Sequence, residues 1–158
     1  MRRALVGAVG MIGLVIVTGF SAYAVAAPKG PTKRAFRQTD LGAQISTKGN
    51  SFVSVYKVVS SLDGTGASIQ DGSVTGTAFP LSGTDTTTTY FANGVGKSKD
   101  KYKLGALNAK GISTITGSGK CVGGTGVHKK EKCTYTFTGT YNTKTTVANV
   151  KVTGTNTR

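Results

Sequence analysis

Residues 111–142 read GISTITGSGKCVGGTGVHKKEKCTYTFTGTYN, and this stretch carries the most specific structural pattern in the chain. Alternating residues 112–115 lead into a glycine-rich corner, and residues 132–141 return with a second alternating pattern. Period-two alternation is typical of β-strands, and glycine tolerates the positive φ that a sharp corner requires. The stretch therefore predicts two strands joined across a tight structural corner made by Gly123, Gly124 and Gly126.

The same alternation continues on both sides of this stretch. Turns are predicted at Asp63-Gly64, Asp71-Gly72 and Asn93-Gly94, because these dipeptides favour hairpin turns. The predicted strands are residues 51–60, 67–70, 73–79, 84–91, 95–104, 109–116, 132–141 and 145–153. Short strands at even spacing, with glycines inside them, are typical of a small closed barrel. We therefore predict an all-β fold, a single eight-stranded antiparallel barrel over residues 43–158.

The beginning of the chain predicts export. Arg2 and Arg3 precede an apolar run over residues 4–20, and small residues follow as far as Ala26, which is the pattern of a cleaved signal peptide. We expect residues 1–26 to be removed and the protein to be secreted or periplasmic. A retained membrane anchor is the alternative, because the apolar run approaches the roughly 20 residues that span a bilayer.

Residues 27–42 contain two prolines and four basic residues, which predicts a flexible basic arm in front of the barrel.

Two cysteines flank the glycine corner. An even number of cysteines in an exported chain indicates a disulfide, here Cys121 to Cys133, and a loop of this size contributes about 3 kcal/mol in the chain-entropy model. A metal site that includes His128 is the alternative, but three ligands at this spacing match no structural zinc pattern. We expect no metal and no cofactor.

His128 lies in a lysine-rich loop, where we expect it to be exposed. No nucleophile and no orienting acid stand at recognisable positions around it, so no catalytic residue is assigned from the sequence.

Charge is the next feature, with 20 Lys and Arg against 6 Asp and Glu. Four lysines alternate along one predicted strand and project from one face about 7 Å apart: Lys97, Lys99, Lys101 and Lys103. This row suits an anionic cell-surface polymer, although protection against edge aggregation or an ordinary solvated face would produce it too. The lack of arginine in the row argues against nucleic acid as a dedicated partner. Asp100 and Tyr102 lie on the opposite face, where we expect a polar pair facing a cavity.

The segment from Gly119 to Gly126, GKCVGGTG, and the strand that follows it resemble the GGTG signature of dirigent proteins and of the wider allene oxide cyclase-like barrels. The resemblance implies an eight-stranded antiparallel barrel, often a trimer, with a mostly apolar cavity. The acidic residues and the arginine that these families use find no matching position here. Glu131 follows the motif, and no arginine lies between Arg37 and Arg158.

These features favour a secreted, non-catalytic barrel that binds a small apolar ligand or acts at a surface. One alternative is a cyclase or dirigent-type enzyme in which confinement of a reactive intermediate does most of the catalysis. Another is a structural or adhesive envelope protein that binds anionic polymers through the lysine row.

Overall fold

The computed structural model describes residues 31–158, which form one closed barrel of eight antiparallel strands. The strands follow one another around the barrel in chain order, and the last pairs with the first. They are β1 Lys33–Lys48, β2 Ser51–Ser60, β3 Gly64–Thr75, β4 Leu81–Phe91, β5 Gly94–Leu104, β6 Ile112–Gly124, β7 Lys132–Asn142 and β8 Val147–Thr157. The predicted fold is confirmed. The predicted signal peptide lies outside the described residues, and no helix within residues 31–158 has the length and apolar character to cross a membrane.

Strand β1 corrects the prediction of a flexible arm. Residues 33–43 pair with β8 and residues from Gln38 onwards also pair with β2, so that Leu41, for example, lies opposite Lys57 of β2 and Asn149 of β8. Polar Gln38 and Asp40 face the interior here, which hid the apolar alternation that usually reveals a strand. The barrel therefore begins at Lys33, ten residues earlier than predicted, and β1 closes it.

Strand β3 corrects a predicted turn. Residues 67–70 and 73–75 belong to a single strand, and Gly72 is paired with Phe52 on one side and with Asp85 on the other. The strand stops at Thr75, so the predicted strand at residues 73–79 is wrong beyond that point. The predicted number of strands is nevertheless correct, because the prediction omits β1 and divides β3 into two strands.

Inward-facing glycines pair with aromatic rings throughout the barrel. A Cβ at any of these glycines would meet the ring of a neighbouring strand, as at Gly72 beneath Phe52. The other pairs are Gly42 with Tyr56, Gly66 with Phe91, Gly83 with Tyr102, Gly117 with Phe137, Gly119 with Tyr135 and Gly154 with Phe36. Each glycine leaves room for a ring to lie against the wall, which is how glycine is accommodated in strands of curved sheets.

The two ends of the barrel are closed differently. An apolar core fills the end near the β5–β6 and β7–β8 connections, and it comprises Tyr102, Leu104, Ile115, Ala148, Val150 and Val152. At the other end, here called the His128 end, a 3₁₀ turn (η1, Gly126–His128) lies between β6 and β7. The predicted Cys121–Cys133 disulfide is confirmed, and it joins these two strands at the His128 end.

Candidate functional site

A cavity of about 190 Å³ lies inside the barrel between the apolar core and the His128 end. All eight strands contribute side chains to its wall. The apolar part of the wall includes Phe36, Phe52, Phe137, Val150 and Val152, and the polar part includes Gln38, Asp40, Ser54, Gln70, Thr87, Ser98 and Asp100. This cavity, here called the chamber, is mostly apolar with a few converging polar groups, which is the usual form of a small-molecule site.

Two aspartates face each other across the β4–β5 pairing on the inner side of the wall. Asp85 and Asp100 are register partners, and each is at most 8% exposed. The Tyr135 hydroxyl donates to Asp100 Oδ1 at 2.5 Å, and the Thr87 hydroxyl donates to Asp85 Oδ1 at 3.1 Å. Asp85 Oδ2 is buried and has no hydrogen-bond partner among the described residues. The two carboxyl groups are also close enough to hydrogen-bond to each other when one of them carries a proton.

Burial changes the acidity of these carboxyl groups. It raises the pKa of Asp85 to about 8, with a further contribution from the neighbouring charge of Asp100. Burial also raises the pKa of Asp100, and it raises the pKa of Asp40 to about 7 even though Gln38 Nε2 donates to both Asp40 oxygens. Two close carboxyl groups in a low-dielectric interior favour sharing a proton over carrying two charges. The pair therefore favours one shared proton over two charges near neutral pH.

The polar pair expected on β5 faces the interior, although its members do not bond to each other. Asp100 and Tyr102 are both 8% exposed. The Tyr102 hydroxyl donates to the carbonyl of Ser73 at 3.1 Å. Asp100 accepts from the Ser98 hydroxyl on its own strand at 3.4 Å and from Tyr135, 35 residues further along the chain. Alternation along β5 predicts the face on which Asp100 and Tyr102 lie, but their partners on other strands are seen only in the closed barrel.

His128 is buried, so the prediction that it is exposed is wrong. It is 2% exposed, and Glu131 Oε2 lies 2.7 Å from its Nδ1. Its ring stacks on Phe91 at a centroid distance of 5.7 Å, and its Nε2 has no hydrogen-bond partner among the described residues. The 3₁₀ turn rotates the ring inward, away from the lysines that surround it in the sequence.

Arg158 completes a charged cluster at the His128 end. Its guanidinium donates to both Asp63 oxygens at 2.8 and 2.6 Å, and to Glu131 Oε1 at 3.0 Å. Burial opposes ionisation of Asp63, but hydrogen bonds from Arg158 and Asn93 outweigh it and hold the pKa of Asp63 below its usual range. Asp63 therefore lies in a turn and also takes part in this charged cluster. The cluster closes this end of the chamber. Within residues 31–158, no group of three or more His, Cys, Asp or Glu side chains is arranged to hold a metal ion.

The glycine corner packs tightly against the β4–β5 hairpin. Gly123 and Gly126 have φ values of 98° and 58°, and a Cβ on Gly124 would collide with the carbonyl of Val95. The Thr125 N–H donates to that same carbonyl at 2.8 Å. Only glycine adopts this geometry without strain, so the corner supports η1 and the cluster above it.

Lys97, Lys99, Lys101 and Lys103 are all exposed on the outer wall, and Lys120 lies opposite Lys99 on β6. Every lysine in residues 31–158 is exposed, whereas Asp71 is the one exposed acidic residue among them. The barrel is therefore basic outside and acidic inside.

Comparison with known proteins finds no family model, no curated protein and no solved structure that matches this chain. The geometry of the chamber is therefore the basis for assigning a function.

Proposed function

We propose that this protein is an exported β-barrel that binds one small molecule, with an apolar body and a polar end, inside its chamber. The observation that carries the proposal is the cavity inside the barrel, whose wall combines aromatic rings with a belt of aspartate, glutamine, serine and tyrosine side chains. Binding alone suffices for this role, and no catalytic step is required.

The chamber limits the size of the ligand. Its volume of about 190 Å³ is below the roughly 300–1,000 Å³ of pockets that hold drug-sized ligands. A molecule with one ring and a short substituent fits this space. The aromatic rings of Phe52 and Phe137 suit the ring of such a ligand, and Asp100 suits its polar end.

The disulfide supports an extracytoplasmic location. Cys121 and Cys133 are bonded, and structural disulfides persist mainly in oxidising compartments. This agrees with the export expected from the N-terminal sequence.

Native mass spectrometry of the protein taken from its natural source, compared with the denatured mass, tests the proposal directly. We expect a small adduct on the folded protein that is lost on denaturation. A bare folded protein that also fails to take up single-ring alcohols, acids or amines would overturn the proposal.

A variant that fills the chamber localises the binding. Ser68 is 3% exposed and lines the cavity, so we expect Ser68→Leu to abolish the adduct by occupying its space. Ser73→Leu makes the same change on the outward side of the same strand and should leave the adduct unchanged. Equal retention of the adduct by both variants would place the ligand outside the barrel.

A cyclase or dirigent-type enzyme is the second candidate, and the Asp85–Asp100 pair is the observation that favours it. A carboxyl group that keeps its proton near neutral pH can act as a general acid on a confined intermediate. Turnover of a reactive ligand that disappears in Asp85→Asn while binding persists would favour the enzyme over the binding protein.

A further inference from the structure

One side of the outer wall is apolar. Leu41 is 51% exposed and Ile45 is 61% exposed. On the opposite side of the barrel, the outer positions of residues 97–103 are lysines, and those of residues 114–120 are threonine, serine and lysine. The exposed apolar side chains of β1, β2, β3 and β8 are here called the Val55 face: Leu41, Ile45, Val55, Val59, Ile69 and Val147.

Strand register shows that the Val55 face is continuous. One row crosses β8, β1, β2 and β3 through successive register partners: Val147, Ala43, Val55 and Ile69. Leu41 lies on the same face of β1, two residues from Ala43. Single exposed apolar side chains are ordinary on a soluble protein, but a contiguous apolar patch marks an interaction site.

Two opposite charges flank the Val55–Ile69 row. Lys57 lies two residues beyond Val55 on β2, and Asp71 lies two residues beyond Ile69 on β3. Because β2 and β3 are antiparallel, Lys57 and Asp71 lie on opposite sides of the row, each about 7 Å from it. Asp71 is also the one exposed acidic residue within residues 31–158. The apolar row therefore has one charge of each sign at equal distances from it.

We propose that the Val55 face binds a second copy of this chain, with a two-fold axis that lies in the plane of contact along the Val55–Ile69 row. Rotation about this axis reverses the strand direction, so Lys57 of each copy lies over Val53 of the other. Val53 is the register partner of Asp71, and neighbouring strands are about 4.8 Å apart, a distance that a lysine side chain spans. The dimer therefore contains two equivalent Lys57–Asp71 ion pairs around an apolar centre.

The charges favour this axis over a two-fold axis that runs along the strands. The second axis would place Lys57 beside Lys57 of the other copy and Asp71 beside Asp71, and like charges at a contact oppose association. In the proposed dimer the lysine row of β5 stays clear of the contact, because β5, β6 and β7 lie opposite β1, β2 and β3 in the closed barrel. A second copy is thus a partner that matches both the apolar row and its two charges.

Sedimentation equilibrium at about 0.15 M salt tests the proposal. We expect the wild-type protein to form a reversible dimer. Lys57→Glu places a carboxylate beside Asp71 of the other copy, and Asp71→Lys places an ammonium beside Lys57. Each single variant should therefore raise the dissociation constant of the dimer about tenfold or more. The two changes combined restore both ion pairs with reversed sign, and the dissociation constant should return to within about threefold of wild type.

Control variants make matching changes on the opposite side of the barrel. Ile69→Lys places a charge in the apolar row and should give a monomer, whereas Thr116→Lys adds the same charge on the outer wall of β6 and should remain dimeric. Lys101→Glu, on the outer wall of β5, is the control for Lys57→Glu. These side chains all lie on the outer wall, and circular dichroism verifies that each variant is folded.

A wild-type protein that stays monomeric up to about 0.1 mM overturns the proposal. A trimer overturns the two-fold arrangement, as does a dimer that Lys57→Glu leaves unchanged or tightens. Equal dissociation by Thr116→Lys or Lys101→Glu places the contact elsewhere, and a double variant as weak as the single variants overturns the Lys57–Asp71 pairing. The contact is on the outer wall, so these outcomes leave ligand binding in the chamber to its own test.

Discussion

At the scale of single residues, the chamber is defined by polar side chains that the sequence shows only in part. Alternation along β5 placed Asp100 and Tyr102 on one face, because the lysines between them mark the other. Nothing local to the chain joins Asp100 to Tyr135 or His128 to Arg158, since these contacts form only in the closed barrel. Glu131, by contrast, follows His128 by three residues. The lysines on both sides of His128 in the sequence suggest that it is exposed, and only the 3₁₀ turn shows that its ring points inward.

Asp85 gives a prediction about pH and stability. Its folded pKa of about 8 lies above its usual value of 3.8. Its contribution to the free energy of unfolding is therefore complete below about pH 4, where the carboxyl is protonated in both states, and it is lost as the pH rises through 8. Asp85→Asn removes this loss. Relative to wild type, we expect the variant to gain about 1–3 kcal/mol in free energy of unfolding between pH 4.5 and 8.5.

Urea denaturation at the two pH values measures this difference. Asp63, whose pKa is shifted the opposite way, is present in both proteins and cancels. Asp71→Asn is the control, and a difference of equal size in that variant would contradict the assignment to the buried pair.

At the scale of secondary-structure elements, glycines inside strands are the feature that the sequence pattern predicts least well. Gly72 after Asp71 has the sequence of a turn, yet it lies in the middle of a strand because the ring of Phe52 occupies the space of its missing side chain. β1 was missed for a related reason, since its interior positions are polar. Strand Ser51–Ser60, which is apolar on both faces, matches its predicted bounds.

The substitution Gly72→Ala tests whether Gly72 lies within a strand and not in a turn. A Cβ there would collide with the Phe52 ring. We expect the free energy of unfolding to fall by about 1–2 kcal/mol. This value is the cost of overpacking minus the smaller gain that alanine brings by restricting the unfolded chain. Phe52→Leu should lessen that loss when the two changes are combined, and denaturant titration of the four proteins gives the coupling. Ser73→Ala, next to it on the outer side, is the control. A loss that Phe52→Leu leaves unchanged would mean that the ring is not the obstacle.

At the scale of the whole molecule, charge is divided between the two sides of one wall. Eleven residues of β5 carry four outward lysines and, on the inner side, Asp100 and Tyr102. The composition shows that the protein is basic, but it does not show that the acidic side chains lie inside the barrel. We infer that the outer row is available to an anionic surface independently of the chamber.

Replacing Lys97, Lys99, Lys101 and Lys103 by serine tests that role. We expect weaker retention on a heparin matrix, with the salt dependence of binding reduced by about one unit of log–log slope per lysine that contacts the polyanion. The control replaces four exposed lysines on other parts of the barrel and has the same net charge: Lys57, Lys110, Lys144 and Lys151. If both variants elute together, net charge alone explains retention and the row has no special role.

The closed hydrogen-bonded wall also determines where a protease can cut. β5 is paired with β4 and β6 on its two sides, so its lysines are accessible to a trypsin-like enzyme only after local opening of the barrel. Lys110, Lys129, Lys130 and Lys144 lie in connections instead, where nicking is favoured. A cut after Lys129 or Lys130 would fall between Cys121 and Cys133 and leave the two fragments covalently joined. A chain this rich in cleavage sites can therefore be nicked there and still remain a single closed barrel.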